Sequence, residues 1–243
     1  MQVAYIIDPI YDSRKLEDVF GNAIKAGFSN VLVYLPAFSS LSYVDAVTGL
    51  TLQGNNHFKY SSLSGDIVTK RTVKQYKQPV DLAIAVGIAT NDLSFFEDRL
   101  NAKVVVVIND AIADVEEWLK LYDAIDLQTG NGIMAGMVVA PLMNRAIGWL
   151  KSISVGGTPL YDFKMDDYLR EAANLLKRNN VTYKAEEVSC QCIKRGLDAR
   201  SARSVADVFE HSLHLNGDLK IKVGNPDYGV MLTMVDKSNY DNN

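Results

Sequence analysis

The chain has 243 residues, 48% of them hydrophobic, with 25 basic and 29 acidic residues and a formal net charge of -4. That length and apolar content suffice for one large α/β domain or two small ones, each with a buried core. The acidic balance argues against a general nucleic-acid binder, and no run approaches the roughly 18–20 apolar residues that span a bilayer.

The stretch from Met1 to Asp8 lacks a basic region and a small-residue cleavage site, so it reads as a first strand and not as a signal peptide. Its strand is Val3–Ile7. A helix is expected near Ser13–Ala26, with Leu16, Val19, Phe20, Ala23 and Ile24 on one face and Gly27 as its stop signal. Asn30–Leu35 is the second strand, ended by Pro36. Residues 39–77 change character, being rich in Ser, Thr, Gly, Asn and Tyr, with alternation at Asp66–Thr69 and Thr72–Tyr76. They read as an inserted hairpin or β-rich arm, because a structureless loop of that length is uncommon.

The α/β pattern resumes at Val80–Ala89. Val104–Ile108 is an unbroken apolar, β-branched run, followed by Val115, Trp118, Leu119 and Tyr122 at helical spacing. That is a buried parallel strand feeding a helix. Asp126–Gly132 is a polar break, and Ile133–Ile153 reads as one long buried helix despite Pro141. Beyond the Gly156-Gly157 turn, a helix is expected over Met165–Lys177, a short strand over Val181–Ala185 and a helix over Asp198–Leu215, ended by Asn216-Gly217. Leu219–Val223 and Gly229–Val235 read as strands, before a polar tail from Lys237. The expected fold class is therefore α/β: a mostly parallel sheet with helices on both faces, an inserted β-rich arm and a C-terminal α+β part. The expected domains are residues 1–153, carrying the arm, and residues 154–243 packed on them.

In an open α/β sheet, ligands bind beyond the carboxyl ends of the strands. The residues expected there are Asp8, Asp12, Ser39, Ser40, Asn91, Asp92, Asn109 and Asp110. One reading makes Asp8, Asp92 and Asp110 a catalytic Mg²⁺ set for phosphoryl or hydrolytic chemistry. The other makes these residues helix caps and turn formers. The turn after Ile108 has no glycine, so it lacks the usual phosphate cradle. Cys190, Cys192, His211 and His214 are the soft-ligand residues. They offer a zinc set, but Cys190-x-Cys192 is tighter than the usual spacing, and ordinary packing of two same-face strand or loop residues is the other reading. Arg195, Arg200 and Arg203 gather near one helix start, as a phosphate or carboxylate site or as a solvated face. There is no Gly-x-Ser-x-Gly elbow, and only three histidines are present.

One segment has a recognisable order. Ile133-Met134-Ala135-Gly136-Met137 leads to Asn144-Arg145-Ala146-Ile147-Gly148-Trp149, then to Gly156-Gly157-Thr158, an acidic helix, and Leu175-Leu176-Lys177-Arg178-Asn179-Asn180-Val181-Thr182. Over residues 80–190 this resembles the core of contractile phage tail sheath proteins. The resemblance implies a non-enzymatic, self-assembling structural subunit of a virion. Its partners would be further copies of itself and other assembly proteins, with no cofactor, no nucleic acid and no membrane. The expected location is cytoplasmic, meaning host cytoplasm or virion; two cysteines fit a reducing compartment. The rival expectation is a cytoplasmic nucleotide-binding protein or Mg-dependent enzyme using Asp8, Asp92 and Asp110.

Overall fold

The structure, a computed structural model, describes residues 1–36, 56–73, 76–89, 92–93, 96–97, 100–154 and 163–221. The chain divides into two compact units, Met1–Ala135 and Gly136–Asn243. The boundary therefore falls before the helix at Pro141–Ile153, not after it.

The first unit is α/β, with a mostly parallel seven-stranded sheet. Its strands are β1 (Gln2–Ile7), β2 (Asn30–Leu35), β3 (His57–Tyr60), β4 (Leu63–Thr69), β5 (Val80–Val86), β6 (Ala102–Asn109) and β7 (Ile125–Asp126). Their order is β3-β4-β2-β5-β6-β1-β7, and only β3 runs antiparallel to its neighbour. The period-2 alternation of side chains splits the apolar residues between two faces. Val3, Tyr5, Leu32, Tyr34, Ala83, Ala85, Val105 and Val107 face one core, which Leu93, Phe96, Trp118 and Leu119 complete. Ala4, Ile6, Val31, Val33, Leu82, Ile84, Val106 and Ile108 face the other, completed by Leu16, Val19, Phe20 and Ala23. The last four belong to α1 (Ser13–Lys25), while Trp118 and Leu119 belong to α2 (Glu116–Leu121). Helices thus cover both faces. The Asp12 side chain caps α1 by accepting from the Arg14 N–H at 3.1 Å, and Gly27 ends it at φ +75°.

Of the segment read as an arm, His57–Tyr60 and Leu63–Thr69 are built into this sheet. β3 and β4 form a hairpin, and β4 also pairs with β2, so both of its edges are used. Phe58 lies across from Gly65, where any Cβ would overlap the Val31 carbonyl oxygen and sit 2.6 Å from the Phe58 ring. Thr72 and Val73 lie in a turn instead of a strand, with the Thr72 N–H donating to the Thr69 carbonyl at 3.0 Å. Residues 39–55 lie outside the described residues.

At the amino ends of the strands, Asp81 of β5 accepts from Lys103 Nζ at 2.7 Å, the Ser29 N–H at 3.0 Å and the Asn30 N–H at 3.2 Å. Lys103 and these amides hold its carboxyl well below the usual aspartate range. A depressed folded-state pKa contributes stability above the unfolded value, and that stability is lost as pH falls through the folded one. Denaturant titrations below about pH 4 should therefore lose stability more steeply in the wild type than in Asp81→Asn. Parallel slopes in the two proteins would remove this role.

The described part of the second unit consists of α3 (Pro141–Ile153), α4 (Phe163–Arg178), α5 (Ala185–Lys194) and α6 (Ala199–His214). Three expectations are corrected here. The helix expected over Ile133–Ile153 starts only at Pro141, because proline lacks the N–H that a helix interior needs but suits its first position. Gly136, at φ +88°, lies in the non-helical stretch before it. Val181–Ala185 is not a strand: Asn180 leaves α4 at φ +53°, and α5 opens as the Glu187 carboxylate accepts from the Lys184 N–H at 3.0 Å. Leu219 to Ile221 also carry no strand.

That last stretch is instead strapped to α4. The buried Asn174 amide donates to the Leu219 carbonyl at 3.0 Å and accepts from the Leu219 N–H at 2.7 Å. One turn on, Lys177 Nζ donates to the carbonyls of Ser212, Leu215 and Gly217 at 2.7, 2.5 and 2.8 Å. Lys177 thereby satisfies carbonyls that the end of α6 leaves free. The strand expected over Gly229–Val235 and the tail lie outside the described residues. Among the described residues, no helix is long and apolar enough to cross a membrane.

Candidate functional site

Six of the seven strands run parallel, so their carboxyl ends share one edge of the sheet. β2 is followed by strands on one side of it, and its neighbour β5 by β6 on the other. The gap between β2 and β5 is thus a topological switch point, where such sheets open a crevice.

Tyr34 of β2 lies there, 1% exposed, with the Phe96 ring edge-on at 5.5 Å. Its hydroxyl donates to Asp92, and burial, reinforced by that carboxylate, pushes the phenol pKa up to about 12. Lys70, just past β4, places Nζ 2.8 Å from Asp92 Oδ1. Asp92 therefore already has a cation and a phenol as partners.

Asp8 and Asp110 lie elsewhere on the same edge, at the ends of β1 and β6. Asp8 is buried, and its N–H donates to the Asn109 carbonyl at 2.7 Å. The Asn109 side chain pins the loop after β5, accepting from the Ile88 N–H at 2.9 Å and donating to the Ile88 carbonyl at 3.1 Å. Tyr11, held at φ +49°, reaches across these strand ends: a Cβ on Gly87 would sit 3.0 Å from its hydroxyl oxygen. Burial first, then Asp110, Asp8 and Asp114, push the Tyr11 phenol up.

The three aspartates of the Mg²⁺ reading are therefore divided. Asp8 and Asp110 converge on Tyr11, while Asp92 is engaged with Lys70 and Tyr34. Asp12 serves as the α1 cap, and Ser39, Ser40 and Asn91 lie outside the described residues. Among the described residues, no group of three or more His, Cys, Asp or Glu side chains is placed to hold a metal ion.

The same holds for the sulfur and imidazole set. Cys190 and Cys192 lie on α5, not on a strand or loop, and two residues apart on a helix point about 200° from each other. Both are buried, and burial pushes the Cys192 thiol far up. His211 and His214 are exposed on the last turn of α6. Arg195 donates to Asn144 Oδ1 at 3.1 and 2.6 Å, while Arg200 and Arg203 lie exposed in the first turns of α6.

One constellation escaped sequence reasoning. On the β3–β4 hairpin, His57 Nδ1 lies 2.9 Å from Asp66 Oδ1, and Ser64 Oγ lies 3.2 Å from His57 Nε2. The only signal in the sequence was the Ser64-x-Asp66 spacing, which puts both side chains on one strand face. Finding His57 opposite them needs the hairpin register.

No protein-family model, curated protein or solved structure matches the chain. What the fold defines is a class: an α/β protein with a mostly parallel sheet, followed by a unit whose described elements are helical.

Proposed function

We propose that the protein is a self-assembling structural subunit, similar in role to a phage tail sheath or another virion protein. The observation that carries this reading is a rim of exposed aliphatic side chains. Ile10, Ile112 and Leu127 are 82%, 36% and 44% exposed. They follow the neighbouring strands β1, β6 and β7 at their carboxyl ends. Exposed apolar groups gathered on one rim favour a protein contact. Asp110 and Asp114 lie exposed beside them in sequence.

Charge supports a contact between unlike surfaces. The first unit carries 16 acidic and 11 basic residues and the second 13 and 14. An acidic rim meeting another copy's second unit is a heterologous contact, which propagates as a ring or an open helix. The rim suits such a contact better than the β3–β4 hairpin does: β4 has no free edge, and β3 is a four-residue strand carrying Lys59, a feature that discourages edge pairing. The Mg-enzyme reading loses its constellation with the division of Asp8, Asp110 and Asp92.

Ile10→Asp tests the rim. So exposed a residue contributes little to folding, so its stability should change by less than about 0.5 kcal/mol. Sedimentation velocity should show the wild type associating as concentration rises and the variant remaining a single chain. Unchanged association in the folded variant would remove the rim from the interface.

A further inference from the structure

The exposed face of the β3–β4 hairpin places four reactive side chains together. In the hairpin register His57 opposes Asp66, and Lys59 opposes Ser64. All four therefore share one face, because residues two apart on a strand point the same way. The contacts also assign the protons. The Asp66 carboxylate can only accept, so Nδ1 of His57 carries the hydrogen at 2.9 Å. The lone pair of Nε2 is then turned to Ser64, whose Oγ–H donates to it at 3.2 Å. The Tyr76 hydroxyl also donates to Asp66, a second hold on the carboxylate. A hydroxyl, a base within hydrogen-bond reach of it, and a third group orienting that base define an activated nucleophile, whatever the fold or chain order.

We propose that Ser64 is a nucleophile, activated by His57 and positioned by Asp66, that accepts acyl groups from activated carboxylic esters. The Ser64 Oγ adds to the ester carbonyl carbon as its proton passes to His57 Nε2. Lys59, directly across the hairpin from Ser64, supplies positive charge to the oxyanion that forms. Collapse of this intermediate breaks the bond to the leaving oxygen, which takes the proton from His57 and departs as an alcohol or phenol. Water, deprotonated by the same imidazole, then releases the acyl group as a carboxylic acid and restores Ser64. The open face admits a small ester, and the step needs no cofactor. This inference does not depend on the assembly reading, since it concerns a different face of the first unit.

The test uses the full chain with p-nitrophenyl acetate and, separately, a fluorophosphonate probe. Intact mass and peptide mapping should place one acetyl or phosphonyl group on Ser64. Ser64→Ala should abolish this labelling. His57→Gln should slow it roughly a hundredfold, the scale of lost general-base help. Asp66 acts through His57, so its readout is the ring itself. The ¹⁵N shifts of His57 should report one tautomer in the wild type and a mixture in Asp66→Asn, and Asp66→Glu should recover part of the acylation rate. His57 is exposed and Ser64 and Asp66 are half-buried, and circular dichroism checks that each variant folds. Labelling at other residues, labelling that survives Ser64→Ala, or rates unaffected by His57→Gln would overturn the proposal.

Discussion

Val106→Asp should leave the first unit unfolded. Val106 is 4% exposed at the middle of β6, where it pairs with Ala4 of β1 on one side and Ile84 of β5 on the other. Its side chain packs in the same core as Leu16 and Phe20 of α1. An aspartate there is a charge without a partner, at a cost of several kcal/mol, or a neutralised acid whose pKa has been driven up. The lost apolar packing adds about 1–2 kcal/mol. Against a net stability of roughly 5–15 kcal/mol for a domain, this exhausts most or all of the margin. Hydrogen exchange is the right measurement, because the helices of the second unit would keep a far-ultraviolet signal. The β6 amides should lose their protection. A variant that keeps them protected as in the wild type would contradict the central place of β6.

Asn174→Leu should have the next largest effect, now in the second unit. The two side chains are similar in size, so the change isolates the polar contacts. The wild-type amide meets both the N–H and the carbonyl of Leu219, and Asn174 is 0% exposed. Leucine leaves two backbone groups without partners, at about 1–3 kcal/mol for each. The remaining ties, Lys177 to three carbonyls and Arg178 to Asp218, hold the strap less closely, so the Leu219 amide should exchange faster by the corresponding factor. Equal exchange rates in the two proteins would show that Asn174 does not hold this segment.

The first unit was largely legible in the sequence because its strands are buried on both faces. Runs such as Val104–Ile108 have no alternative amphipathic reading, and Asp12 and Gly27 mark the ends of α1 by local chemistry. The errors came where local pattern and tertiary pairing disagree. Leu63–Thr69 reads as half-polar because of Ser64 and Asp66, yet it pairs on both edges. Pro141 falls inside an apolar run that reads as one helix, yet it is a start signal. Cys190 and Cys192 suggest a strand face by their spacing of two, whereas the residues around them follow the helical period. Of the candidate site, the positions of Asp8, Asp110 and Asn109 at strand ends were legible. Their separation from Asp92 was not, because it depends on strand order. The Ser64–His57–Asp66 contact depends likewise on hairpin register.

The proposed assembly is tested most directly by the molar mass of the unmodified chain, measured by light scattering across a concentration series. A heterologous contact predicts a mass that climbs with concentration beyond a dimer, and a salt dependence that reflects the unequal charge of the two units. A mass fixed at one chain, 26.9 kDa, at every concentration would contradict it.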